Sequence, residues 1–309
     1  MNSSSRRFAV YIFICLLAPF LCCEGRADER PAANSAVAPK RIVSLAPSVT
    51  ETVFALGFGD RLVGVTTYCD YPPAAKNLPK IGGYINPSLE AIVAQRPDLI
   101  IGINDSDHPV KARELERLGL KVSLISVSSV SEILDSIKLV ARWTGNPAAG
   151  ERLVQKIVHQ FDEVKKRVAL APRRRTLLAV AIRPLVAVGG RNFIDELITM
   201  AGGDNIAGNS AQPWLNLPDE YVVAKAPQVI IEAGMGSDRG RAARNWGDLK
   251  SIPAVKARRV FSYPSDKILR PGPRIGEGLE EIARLVHPEC FAETKPGLNQ
   301  GNGCEGSRP

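Results

Sequence analysis

Histidine is scarce in these 309 residues: His108, His159 and His287 are the only three, and they share no spacing. There is no CxxC pair, no HExxH and no glycine-rich phosphate loop. A zinc or redox site therefore has no support, and three surface histidines are expected. Neither histidine, cysteine nor paired carboxylates are placed as a nucleophile and its base, so enzymatic chemistry is not expected. Long apolar runs are also lacking. The stretch from Phe8 to Cys23 is 16 residues, short of the roughly 20 that span a bilayer. Cysteine is limited to six, three of them before Asp28. Cys69, Cys290 and Cys304 form an odd set in an exported chain, which leaves at least one thiol unpaired; Cys69 with Cys290 is the candidate bridge.

What is present is an ordinary globular composition, 45% hydrophobic and 23% charged, with a net charge of +8. That excludes a disordered, collagen-like or polytopic membrane protein. Arg6 and Arg7 ahead of the short apolar run, then small Gly25 and Ala27, predict an export signal over residues 1–27. The residues before Cys22 and Cys23 lack the small pair of a lipid-anchor site. Export places the protein outside the cytoplasm, so its basic charge does not imply nucleic acid.

Strand and helix signals alternate through the rest. A leader over residues 28–40 precedes an N-terminal lobe over 41–145. It holds short apolar strands at Arg41 to Leu45, Leu62 to Thr66, Asp98 to Gly102 and Val122 to Ser126. Ser48-Val49-Thr50-Glu51 reads as a capping box opening a helix that stops at Gly57. Asn146-Pro147 starts a long helix, with Leu153, Ile157, Phe161, Val164 and Val168 as one apolar stripe, giving a linker over 146–172. The run Arg173-Arg174-Arg175 reads as a solvated loop. A second α/β lobe covers 173–290, and a Gly-, Asn- and Pro-rich tail, expected to be disordered, covers 291–309. The predicted class is α/β: two Rossmann-like lobes with mostly parallel sheets joined by one long helix.

The lobes share a segment. Residues 84–101 align without gaps on residues 214–231, an offset of 130. Each copy runs aromatic, aliphatic, Asn, three residues, Glu, a Val-Ala helical turn, Pro and an Ile-Ile strand. Tyr84 corresponds to Trp214 and Glu90 to Glu220, with each aromatic expected in the loop entering a short helix. The matched aromatic, Asn and Glu are not demanded by helix or strand formation. Two similar lobes facing each other, with an aromatic from each at a cleft, is the arrangement of a two-lobed binding protein. Trp143 and Trp246 read as packing residues on helices.

The opening Arg41-Ile42-Val43-Ser44-Leu45-Ala46-Pro47-Ser48-Val49-Thr50-Glu51 resembles that of periplasmic binding proteins for cobalamin, ferric siderophores and haem. Gly64 to Pro72, Leu89 to Ile101, Pro213-Trp214 and Pro273-Arg274-Ile275 are similar to the cobalamin branch in particular. The resemblance implies a periplasmic substrate-binding component of an ABC importer, working as a monomer. It carries cobalamin or a related corrinoid as cargo rather than holding a cofactor or a metal. It implies Tyr68, Tyr84, Trp214 and Arg270 as ligand-binding residues, although Tyr84 stands where that branch usually has Trp. It implies that Glu90 and Glu220 dock onto arginines of the two permease subunits in the inner membrane, next to their ATPase. A ferric siderophore or haem is the alternative ligand, with Tyr84 and Arg270 able to serve either.

Overall fold

The computed structural model describes residues 38–105, 108–234 and 246–292. The export signal, most of the leader and the tail from residue 293 lie outside the described residues, as does Cys304.

The N-terminal lobe contains β1 (Ile42–Ser44), α1 (Pro47–Ala55), β2 (Leu62–Val65), α2 (Leu89–Ala94), β3 (Leu99–Ile103), α3 (His108–Arg117), β4 (Val122–Ile125) and α4 (Val130–Thr144). Its sheet is parallel throughout, in the order β2-β1-β3-β4. The strand period of two sorts side chains between two apolar clusters. Leu99 and Ile101 enter the main core, while Ile100 and Val43 face a smaller one on the opposite side. Strands covered on both faces read as unbroken apolar runs, which is why these were legible in sequence.

The linker is α5 (Pro147–Val168), 22 residues or about 33 Å long. Asn146 caps it by accepting from the Ala149 amide. The preceding α4 ends at Gly145, whose φ of 90° supplies the left-handed turn between the two helices.

The C-terminal lobe follows with β5 (Arg174–Ile182), β6 (Leu185–Val188), α6 (Phe193–Met200), β7 (Gly203–Asn205), β8 (Trp214–Asn216), α7 (Asp219–Lys225), β9 (Val229–Glu232), α8 (Pro253–Lys256), β10 (Val260–Ser262), α9 (Asp266–Leu269) and α10 (Ile275–Val286). Its sheet has the order β10-β9-β5-β6-β8, with β7 also on β5. β7 and β9 each pair parallel with β5, and β10 pairs parallel with β9, whereas β6 runs antiparallel between β5 and β8. One apolar core continues from Ile42 and Val49 through Ile137 and Ile157 to Leu197 and Leu279, so α4, α5, α6 and α10 join the lobes as a packed seam. Across it, the Val130 amide of α4 donates to Glu196 of α6 at 3.1 Å.

Several expectations are corrected. The capping box does not form: α1 starts at Pro47 with Ala46 as its cap, and no side chain caps it. Proline supplies the fixed first turn, and the buried Glu51 carboxylate turns to partners other than the helix start. His108 and His287 are fully buried, not on the surface. Each ring nitrogen is within hydrogen-bond reach of a partner, which makes burial of an imidazole tolerable. The Cys69–Cys290 bridge does not form: Cys69 is a free thiol, buried against the Thr50 and Thr66 hydroxyls. Trp214 belongs to strand β8 rather than a loop. Trp246 is buried as expected, in a 3-10 turn, with its indole N–H donating to Glu232. The chain also stays packed through Phe291, whose ring lies between the Arg167 and Arg284 guanidiniums.

The basic run Arg173-Arg174-Arg175 is not a solvated loop either. Arg173 donates to Thr199 O and Gly203 O, Arg174 to Val286 O, and Arg175 to Lys225 O and Ala226 O. Three successive arginines thus satisfy carbonyls at the ends of α6, α10 and α7, where cations are favoured by the helix dipole.

Candidate functional site

The repeat is a structural unit in both lobes. Arg41 Nε donates to Gln95 O and Arg96 O at 3.0 and 3.1 Å; Arg175 Nε donates to Lys225 O and Ala226 O at 3.2 and 3.0 Å. Those acceptors are 130 residues apart. Arg96 and Ala226 share a φ of 47°, the left-handed exit from each short helix. The Arg41 amide donates to Asp98 and the Arg175 amide to Gln228, both at 3.0 Å, the acceptors again 130 residues apart. Such agreement exceeds what a chance helix-strand likeness requires. It mounts α2 and α7 alike, each against an arginine at the start of the neighbouring strand: Arg41 just before β1 and Arg175 second in β5.

Each short helix presents one face outward. Glu90, Val93 and Ala94 are exposed on α2, and Glu220, Val223 and Ala224 on α7. Ser88 caps α2, accepting from Ala91 N and donating to Glu90 Oε2 at 2.9 Å. The Glu90 carboxyl is held below the usual carboxylate range, first by its own backbone amide and then by the Ser88 hydroxyl.

The ligand candidates fall into three places. Tyr68 follows β2 at the carboxyl end of its sheet and is 58% exposed. Arg270, just after α9, reaches it: Nη2 donates to Tyr68 O at 3.2 Å. Those two are brought together across the lobes. Tyr84 lies in the loop before α2. Its hydroxyl donates to the Asp105 carboxylate at 2.7–2.8 Å, and its ring meets His108 edge-on at a centroid distance of 4.7 Å. Burial, then the hydrogen bond to Asp105, push the Tyr84 phenol well above its ordinary range. Trp214 opens edge strand β8 beside Val188 and is 40% exposed.

Arg270 is not free. Its guanidinium pairs with Glu51 at 2.9 Å, Asp70 at 2.8 Å and Asp266 at 3.0 Å. Arg274 meets Glu51 as a fork, Nε at 2.7 Å and Nη2 at 2.7 Å, and lies 3.9 Å over the Tyr71 ring. Burial pulls the Arg270 guanidinium down, while the bonds to Glu51 and Asp70 push it up; the net direction is up. In sequence Glu51 was read only as a capping residue, and Asp70, Tyr71 and Arg274 only as parts of matching segments, none as a site residue. The signal available was weak: a Glu in the second turn of a helix that its supposed capping role does not explain. Among the described residues no cluster of three or more His, Cys, Asp or Glu side chains could hold a metal. A notch of about 410 Å³ lies elsewhere, by Pro172, Arg174 and Arg259 at the amino ends of β5 and β10.

Two lobes, a packed helical seam and exposed aromatics on both lobes, Tyr68 after β2 and Trp214 on β8, are the arrangement of a binding protein. The chain belongs to the periplasmic binding protein family, whose model matches residues 42–267. Members bind small molecules for ABC transporters and are not enzymes, and the family places the chain in the periplasm. The vitamin B12-binding protein of Salmonella paratyphi A is 31% identical over 238 residues, 77% of this chain and 86% of that one. The counterpart in Vibrio parahaemolyticus is 28% identical over 245 residues, 79% and 88% of the two chains. Among solved structures, the periplasmic vitamin B12 binding protein of Vibrio cholerae has 26% identity and a TM-score of 0.72, covering 82% of this chain and 99% of its own. The periplasmic heme-binding protein of Roseiflexus, in apo form, also has 26% identity and a TM-score of 0.72, covering 81% and 99%.

Proposed function

We propose that this protein captures cobalamin or a related corrinoid between its lobes and delivers it to an ABC permease. The observation that carries the choice of ligand is the engagement of Arg270 and Arg274 by Glu51, Asp70 and Asp266. Haem and anionic siderophores carry charge that calls for free guanidiniums. A corrinoid is a broad disc with neutral amide arms, suited to the aromatics Tyr68, Tyr84 and Trp214. The upward push on the Tyr84 phenol also opposes tyrosinate ligation of haem iron at that residue. The relatives named for vitamin B12 agree with this reading.

The same reading gives each lobe a docking role. Glu90 and Glu220 are exposed, sit on identically mounted helices and each carry an exposed valine one turn later. Such carboxylates pair with arginine forks and set docking register, one lobe per permease subunit. Residues 1–27 direct export, and the mature chain works as a monomer. The test is a titration of tryptophan fluorescence with cyanocobalamin, haemin and a ferric siderophore. Saturable quenching by cyanocobalamin alone is expected. Tighter capture of haemin, with a tyrosinate-ligated spectrum, would replace the corrinoid reading.

A further inference from the structure

Glu51 is a carboxylate only 2% exposed on the N-terminal lobe, and its three hydrogen bonds come from Arg270 and Arg274 of the other lobe. Ser48 and Glu51, three residues apart, put one turn of α1 against the segment 270–274. The approach is close: a Cβ added at Gly272 would lie 3.2 Å from Ser48 Cβ. The same two arginines also grip the loop after β2, through Asp70, Tyr68 O and the Tyr71 ring. That loop carries Tyr68 at the carboxyl edge of the sheet.

We propose that Glu51 is a positioning residue that registers the two lobes against each other, and so presets the cleft and its Tyr68 rim. A buried ion pair adds little net stability over an apolar replacement, because desolvation offsets attraction. Its geometry, however, is specific. A forked Arg274–Glu51 pair is satisfied at one lobe separation and one orientation. The packed seam of α4, α5, α6 and α10 joins the lobes on its own, so Glu51 is not needed to keep them attached. Its effect is on where the lobes stop. The width of the cleft is thereby preset before ligand arrives. The register itself does not depend on the corrinoid reading.

The test uses the full mature chain with Glu51→Gln and Arg274→Lys. Lysine keeps the charge but loses the fork. Small-angle scattering of the ligand-free protein reads the lobe separation, and stopped-flow fluorescence reads cyanocobalamin dissociation. Glu51→Gln is expected to widen the distance distribution and to speed dissociation about tenfold. Arg274→Lys is expected to shift both in the same direction by less. A folded Glu51→Gln protein that scatters like the wild type overturns the proposal, whatever its melting temperature. If that variant does not fold, Arg274→Lys decides: wild-type scattering from it overturns the proposal equally. Wider scattering with unchanged dissociation would overturn the link between register and capture. If the unmodified protein binds no cyanocobalamin, the corrinoid reading fails, while scattering still judges the clasp.

Discussion

Replacing Trp214 with alanine tests the cleft most directly. Its side chain is 40% exposed on an edge strand. A tryptophan presents up to about 250 Å², so about 100 Å² is available for a ligand to cover. At ~25 cal/mol per Å², that contact is worth about 2.5 kcal/mol, or roughly 70-fold in Kd. Partial coverage lowers the figure, so Trp214→Ala is expected to weaken cyanocobalamin binding roughly 5- to 70-fold. The strand itself should survive, since backbone pairing with β6 does not involve the indole. Calorimetric titration of the folded variant gives Kd. Trp246→Ala is the internal control: it removes a buried indole bonded to Glu232, costing about 3–5 kcal/mol of stability while the folded fraction keeps its affinity. Unchanged affinity in Trp214→Ala, with a weakened Trp246→Ala, would refute the placement of Trp214 at the ligand.

Glu90→Ala with Glu220→Ala should leave cyanocobalamin affinity within about twofold but cut stimulation of the reconstituted permease's ATPase roughly tenfold; normal transport would put docking elsewhere. Because the Glu90 carboxyl is held below the ordinary carboxylate range, its charge persists to lower pH than that of an unperturbed glutamate, so docking through it should fade at a correspondingly lower pH, read by surface plasmon resonance across a pH series. Arg41→Ala and Arg175→Ala should each cost about 1 kcal/mol in urea denaturation, by freeing equivalent helix-end carbonyls, with additive effects in the double variant. Intact-mass measurement of periplasmic material should give a chain starting near Asp28 without acylation; a mass including Met1 would refute the export signal.

The lobe, long helix and lobe were legible because each follows from residues close in sequence. The Asn146 cap, the stripe through Phe161 and Val164, and the Ile-Ile strand runs report on local backbone and on which faces must leave water. The 130-residue repeat was legible too. It later proved to extend beyond sequence likeness, to shared φ values and shared arginine caps. What the sequence could not supply is the identity of partners brought together by sheet order. Glu51 looks like a helix-start residue until Arg270, 219 residues away, arrives against it. The three arginines after the linker look like a solvated run until α6, α7 and α10 all end beside β5. His108 looks like a surface residue until Tyr84 O and the backbone of Ile103 enclose its ring. In each case the charge or polarity is set by the residue type. Its role, however, depends on an acceptor that only the packing of distant elements delivers.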